Sequence, residues 1–272
     1  MTATPIGAAR MSAVAVVVPA RDEEQDIEAC LTSIRTALGR LPSGVATAVT
    51  VVLDRCTDRT PQQVDAILTG WAGAVALHVA AVGGHRGPAR GAVTAHIVAG
   101  SGVGALRDLG VRDALRRLRP HPPRSVWVLT TDADTTVPPD WALAHLARAG
   151  RGAVGVAGMA DPVAPVGADG PSPRAALRHE MIVRNGIDHA DGERHRHVYG
   201  ANLGVRGDAY LAVGGFPPDG PGEDHGLWSR LRATGHRLEQ PTAVRVRTSA
   251  RTVGRATGGL ADLLRDLDEP GA

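Results

Sequence analysis

Residues 126–141 read VWVLTTDADTTVPPDW, an apolar run from Val126 to Leu129 that ends in two carboxylates, Asp132 and Asp134, separated by Ala133. Side chains alternate faces along an extended chain, so Asp132 and Asp134 are expected to point the same way, with Ala133 leaving the approach open. Two neighbouring carboxylates repel, and burial strengthens the repulsion. A hard divalent cation resolves that conflict. Oxygen-only donors suit Mg2+ or Mn2+, which take one or two carboxylates and complete their shell with phosphate and water. The chemistry expected at this point is a metal-bound diphosphate at the end of the strand. Taken alone, the triplet also fits a solvated loop or a cap for the helix that starts near Pro138. A second acidic pair, Glu223 and Asp224, lies in GGFPPDGPGEDHGL, which reads as a loop feeding a helix. Carboxylates suit the positive end of such a helix, whatever else they do there.

The elements that must position these acids alternate between apolar runs and helical patterns. Val14 to Val18 is a strand with apolar residues on both faces, as in a covered parallel sheet. A helix is expected from about Glu24 to Leu38, with Ile27, Leu31, Ile34 and Leu38 on one stripe. Val49 to Leu53 is the second strand. The next helix opens with Thr60 as N-cap, Pro61 at the first helical position and Gln63 closing a capping box. A third strand at Ala74 to Val82, a helix around Gly104 to Leu118, the strand Val126 to Thr131 and a helix from about Pro139 to Ala149 continue the rhythm. Such alternation predicts an α/β fold, with a mostly parallel central sheet covered by helices on both faces. Beyond about residue 150 the rhythm degrades into an irregular half, with helices near 174–187 and 223–234.

Composition narrows the function classes. The 272 residues are 43% hydrophobic and 21% charged, which is globular, and the net charge of +2 calls for neither nucleic acid nor an anionic membrane surface. Cys30 and Cys56 are too few for a disulfide framework and point to a reducing cytoplasm. The run Ala13 to Ala20 is short for a signal peptide and flows straight into Arg21-Asp22-Glu23-Glu24. No apolar stretch approaches the roughly 18 residues a membrane helix needs, so a soluble cytoplasmic protein is expected.

In open parallel sheets, ligands bind beyond the carboxyl ends of the strands. Here the first strand runs into Pro19-Ala20-Arg21-Asp22-Glu23, the second into Asp54 and the fourth into Asp132-Ala133-Asp134. Gly100, Gly102 and Ala105 fit a dinucleotide-binding fingerprint, but the stretch about twenty residues on reads RLRPHPPRS instead of an acid-ended strand. NAD is therefore not expected, and these glycines read as a loop entering a helix. The pair His195 and His197 matches no common zinc spacing.

Four stretches, VAVVVPARDEEQDIEACLTSI, VVLDRCTDRT, DADTTVPPDW and GANLGVRGDAYLAVGGFPPDGPGEDHGLWSRL, resemble, in order, the successive motifs of family 2 glycosyltransferases. The resemblance runs from about Val14 to the VRTSAR stretch at 246–251. It implies a GT-A (Rossmann-like) fold and an inverting hexosyltransferase-type enzyme that takes a nucleotide-sugar donor, Mg2+ or Mn2+, and an acceptor hydroxyl; the absence of a membrane stretch favours a soluble acceptor over a lipid carrier. It also implies one domain over 1–272, with 1–12 flexible, 13–150 forming the nucleotide-binding half and 151–260 the acceptor and catalytic half.

The resemblance assigns Pro19, Ala20, Arg21 and Glu23 to the nucleotide pocket and Asp54 to the base or ribose. The family often has two consecutive aspartates at that place; here they are Leu53-Asp54, so one is carried over. Asp132 and Ala133 help hold the nucleotide, and Asp134 binds the metal with Asp132. Asp224 becomes the general base with Glu223 beside it, and His225 a further metal ligand. Gly200-Ala201-Asn202 and Gly214-Gly215-Phe216 shape the sugar and acceptor side. Arg107 is a candidate phosphate contact and Arg90 a weaker one, and the position of the segment with Arg247, Arg251 and Arg255 suggests a flexible loop closing over the diphosphate. Two other readings are a sugar nucleotidyltransferase, whose Gly-rich first loop is replaced here by PARDEE, and a non-catalytic nucleotide-sugar-binding relative.

Overall fold

The apolar run at Val14–Val18 lies within β1 (Ala13–Ala20), and every residue of that strand is buried. Val14, Val16 and Val18 enter one hydrophobic core, while Ala13, Ala15 and Val17 enter another on the opposite face. A strand buried on both faces requires helices on both faces. The computed structural model describes residues 11–79, 93–95, 102–163, 170–188, 192–252 and 260–268. Arg90, Arg255, Gly100 and the expected strand end at 80–82 lie outside the described residues.

After β1 come α1 (Ile27–Gly39), β2 (Ala46–Asp54), α2 (Thr60–Leu68), β3 (Ala74–Val79), β4 (Val93–Ala95) and α3 (Val103–Arg117). They are followed by β5 (Val126–Thr130), β6 (Thr135–Thr136), α4 (Trp141–Gly150), β7 (Gly155–Ala157), β8 (Met159–Val163) and α5 (Pro173–Asn185). The chain ends with β9 (Leu203–Arg206), α6 (Gly207–Ala212), α7 (Glu223–Ala233), β10 (Leu238–Glu239), β11 (Arg245–Ser249) and α8 (Leu260–Asp266). The main sheet has the order β10-β7-β9-β5-β1-β2-β3-β4. It is parallel except at β9, which runs antiparallel to both β5 and β7. Helices α1 and α4 pack on one face, and α3, α6 and α7 on the other.

The small side chains on one face of β1 let α3 lie close. At Gly110 an added Cβ would overlap Val17 Cγ1 and come within 3.0 Å of Val52 Cγ2, so the helix approaches β1 and β2 where it has no side chain. The capping box expected at Thr60 does not form. Thr60 is already helical, its hydroxyl accepts the Glu23 N–H at 2.7 Å, and its own N–H goes to Asp58 Oδ1 at 2.9 Å. The loop after β1 has recruited the side chain that would have capped α2.

A second, three-stranded sheet, β6-β11-β8, was not foreseen from the sequence. Its strands are short, and β11 pairs antiparallel with β6 and parallel with β8. It brings β11 beside the turn that follows β5: the Ser249 N–H donates to the Asp134 carbonyl at 3.2 Å. Asn202 locks the return. It is fully buried, donates to the carbonyls of Met159 and Val244 at 2.8 and 3.0 Å, and its Oδ1 lies 2.9 Å from Trp141 Nε1 and 3.1 Å from His145 Nε2.

Candidate active site

The strand that leads to the D-x-D acids stops at Thr130, and Asp132 to Asp134 form a turn, closed by the Thr135 N–H donating to the Asp132 carbonyl at 3.1 Å. The alternation expected of an extended chain therefore does not apply. Ala133 is turned into the core with α1 and α4 instead of leaving an open approach. The two acids still sense each other. Burial, reinforced by Asp132 and opposed by Arg251, pushes the Asp134 carboxyl up to about 7. Its side chain is only 11% exposed. A half-dry carboxylate beside a second one is a donor set that fits Mg2+ or Mn2+.

Arg107, from the first turns of α3, links these acids to those of α7. Its side chain is 3% exposed, pairs with Asp132 through Nη2, and donates from Nε to Glu223 Oε1 at 3.2 Å. Burial opposes its charge, but Asp132 and Glu223 outweigh burial and hold the guanidinium above the ordinary arginine range. Gly200 passes directly over it: a Cβ there would stand 2.6 Å from Nη2. The guanidinium carbon also lies over the Phe216 ring, 6.0 Å from its centroid. Arg107 thus ties the carboxylates together, and its Nη1 is buried without a partner among the described residues.

Glu223 and Asp224 open α7, after Gly222 in the left-handed region at φ 77°. Glu223 is buried, which raises its carboxyl pKa against the pull of Arg107. Asp224 is held by two backbone donors, the Gly200 N–H on Oδ2 at 2.8 Å and the His225 N–H on Oδ1 at 2.7 Å. His225 itself is exposed. Among the described residues, the one set of three acid, Cys or His side chains with ligand atoms within 4.8 Å of one another is Asp22, Cys56 and Asp58; it does not include His225.

The strand ends of β1 and β2 are stapled together. Asp22, at φ 52°, accepts from the Thr57 N–H at 2.6 Å, the Thr57 hydroxyl at 3.1 Å and the Asp58 N–H at 3.3 Å. The Thr57 N–H, more than any other group, lowers its pKa. Glu23 is buried and receives Arg251, while Pro19 and Ala20 complete β1. Asp54 is buried and takes a two-pronged pair from Arg55, at 2.7 and 2.8 Å, with Arg21 at 3.8 Å. The role of Arg55 had no signal in the sequence beyond its place next to Asp54 and depends on its backbone turning to φ 48°. Cys30 was missed too: its buried thiol donates to the Asp132 carbonyl at 3.3 Å, supporting the turn from α1.

Solved structures share this architecture. The mannosyltransferase PcManGT from Pyrobaculum calidifontis, in complex with GDP-Man and Mn2+, matches with a TM-score of 0.55 at 19% identity, over 90% of this chain and 58% of that one. S. aureus TarS 1-349 in complex with UDP matches at 0.56 and 14% identity, over 93% of this chain and 70% of that one. S. aureus TarS 1-349 matches at 0.54 and 14% identity, over 87% and 60%. The fold is shared with glycosyltransferases. No protein-family model matches the sequence, and no curated protein does.

Two other groups expected at the site are structural. Asn202 is the buried hub already described, and Gly215, at φ 75°, lies where a Cβ would stand 3.0 Å from the Tyr210 hydroxyl. Arg247 is exposed on β11, while Arg251, two residues beyond that strand, reaches the acids. No helix among the described residues is long and apolar enough to cross a membrane.

Proposed function

We propose that the chain is a metal-dependent glycosyltransferase of the family 2 type that moves a hexose from a nucleoside-diphosphate donor to an acceptor hydroxyl with inversion. What supports this most is the convergence at one place of Asp132 and Asp134, after β5, with Glu223 and Asp224, at the start of α7, tied by Arg107. The GDP-Man and Mn2+ of the mannosyltransferase sharing the fold are in keeping with such a donor and ion.

Asp134, with Asp132, would hold Mg2+ or Mn2+, and the bound ion would offset the negative charge growing on the departing diphosphate. The residues of the chain do the rest. Pro19, Ala20, Arg21, Glu23 and Asp54 line the nucleotide side, within a nucleotide half of 13–150. Asp224, on the acceptor half, takes the proton of the attacking hydroxyl, because a neutral hydroxyl is a poor nucleophile. Its two backbone hydrogen bonds fix the carboxylate's direction, and Arg107 keeps Glu223 from moving with it. A base on the face opposite the leaving group gives a single displacement, hence inversion. A soluble acceptor and a cytoplasmic setting complete the reading; Cys30 and Cys56 are both free thiols.

The test is a thermal-shift screen of nucleotide sugars with Mn2+, followed by product analysis. One donor class should stabilise the fold by mass action, and only with metal present. A donor that stabilises the chain equally in chelator would refute the metal dependence. Stabilisation by none of the nucleotide sugars or nucleoside diphosphates would refute the donor class.

A further inference from the structure

Arg251 belongs to none of the acidic motifs, yet its guanidinium spans two of them. Nη1 and Nη2 donate to Glu23 Oε2 and Oε1, each at 2.8 Å, and Nη2 also lies 3.0 Å from Asp134 Oδ2. Backbone pairing on both sides fixes where this side chain starts: the Ser249 N–H donates to the Asp134 carbonyl, and the Ala250 N–H to the Val163 carbonyl at 2.9 Å. Arg251 is 19% exposed, against 7% for Glu23 and 11% for Asp134. In so little water, a guanidinium and a divalent cation on one carboxylate repel strongly. A divalent ion at Asp134 therefore competes with Arg251 for the same carboxylate.

We propose that Arg251 is a stand-in cation that neutralises Glu23 and Asp134 before the donor arrives, yields Asp134 to the divalent ion, and passes its fork to the donor diphosphate. This rests on the reading of Asp134 as a metal ligand. A guanidinium fork matches phosphate oxygens as well as carboxylate oxygens, so the exchange replaces one charge-assisted pair with another. Arg107 is the contrast. Its side chain is 3% exposed, closed in by Gly200 and Phe216, and held between Asp132 and Glu223, so it has nowhere to go. Arg251 has the wetter side chain of the two. Its release also explains why an arginine so far along the chain is aimed at a largely buried aspartate of the turn after β5.

The experiment is a titration of the whole chain with Mn2+ alone, read by the electron paramagnetic resonance of the free ion. Arg251→Met and Arg251→Gln remove the competing charge and should each tighten Mn2+ binding about tenfold or more, whereas Arg251→Lys should stay near the parent. With Mn2+ saturating, calorimetry with GDP and with UDP should show the neutral variants binding their preferred nucleotide about tenfold more weakly than the parent. Two neutral side chains of different shape keep the test intact should one of them unfold. Unchanged or weaker Mn2+ affinity in the neutral variants overturns the proposal. Asp134→Asn in the same titration separates the two layers. If it abolishes Mn2+ binding while the Arg251 variants change nothing, the stand-in role alone falls. If it binds Mn2+ like the parent, the metal assignment and the proposal fall together.

Discussion

Residues before and after about position 150 build their shares of the site by different means. In the first stretch, β1, β2 and β5 lie side by side and parallel, so Glu23, Asp54 and Asp132 follow from where neighbouring strands stop. In the second, strands of two to five residues cannot hold themselves, and the parts meet through long-range ties. Asn202 joins α4, β8 and the start of β11; Arg107 reaches across to Glu223; the Gly200 N–H fixes Asp224. The regular half can afford to present acids at strand ends, because its core is complete without them. The irregular half depends on a few buried polar contacts, so its geometry is more easily lost.

The sharpest way to test that division is to remove the proposed general base from the second half and leave the proposed nucleotide contacts of the first untouched. Asp224→Asn keeps the size of the side chain and one of its two acceptor oxygens but cannot take a proton. Turnover should fall by about 10²- to 10⁴-fold with donor affinity nearly unchanged, and Glu223→Gln should cost less. Steady-state kinetics with the donor found by screening, and the anomeric couplings of the product, decide it. Near-parental turnover or a retained configuration would take Asp224 out of the reaction.

The next effect is on stability. Asn202→Leu leaves the Trp141 N–H, His145 and two buried carbonyls without their partner, which should cost about 4 kcal/mol. Urea denaturation measures it; a loss under about 1 kcal/mol would mean the second half does not rest on this hub. Gly110→Ala probes the first half. A helix favours alanine over glycine by about 1 kcal/mol, but the new Cβ overlaps Val17, so a net loss of about 1–2 kcal/mol is expected. A stabilised variant would show that α3 can lift off β1 freely.

The smallest effect is a pH dependence. Burial pushes the His145 ring down to about 4, so the folded state binds its proton later than the unfolded chain, whose value is 6.5. The stability that neutral His145 confers is complete above about 6.5 and is lost as pH falls towards 4. Asp134 works the other way. Its folded carboxyl, near 7, binds a proton before the unfolded one at 3.8, so ionising it removes stability as pH rises through that window. Melting curves of His145→Gln and the parent between pH 7 and 4 isolate the histidine: the parent should lose more on acidification. Parallel curves would show that the ring is protonated or solvated in the folded state.

The first half was largely legible because hydrophobic period and strand-end chemistry are local. Burial of β1 on both faces follows from Val14, Val16 and Val18 against Ala13, Ala15 and Val17, and the acids after β5 announce themselves. The turn at Asp132–Asp134 was not legible, because an extended chain and a turn share the same letters until Cys30 and the Thr135 N–H take the Asp132 carbonyl. Strands as short as β6, β7 and β10 leave no periodic trace, and they form only because partners distant in sequence are already in place.

By itself, the sequence determined the two-faced sheet, the order of its helices and the acids at its strand ends, since each depends on neighbours within about twenty residues. The tertiary structure alone decided who neutralises those acids. Arg107 could have been a solvated helix residue and Arg251 part of a basic tail. Each instead meets carboxylates far from it in sequence, Arg107 on Asp132 and Glu223, Arg251 on Glu23 and Asp134. Coulomb attraction in a drying core selects such pairs by distance in space: α3 and α7 set that distance for Arg107, and β11, paired beside the turn after β5, sets it for Arg251.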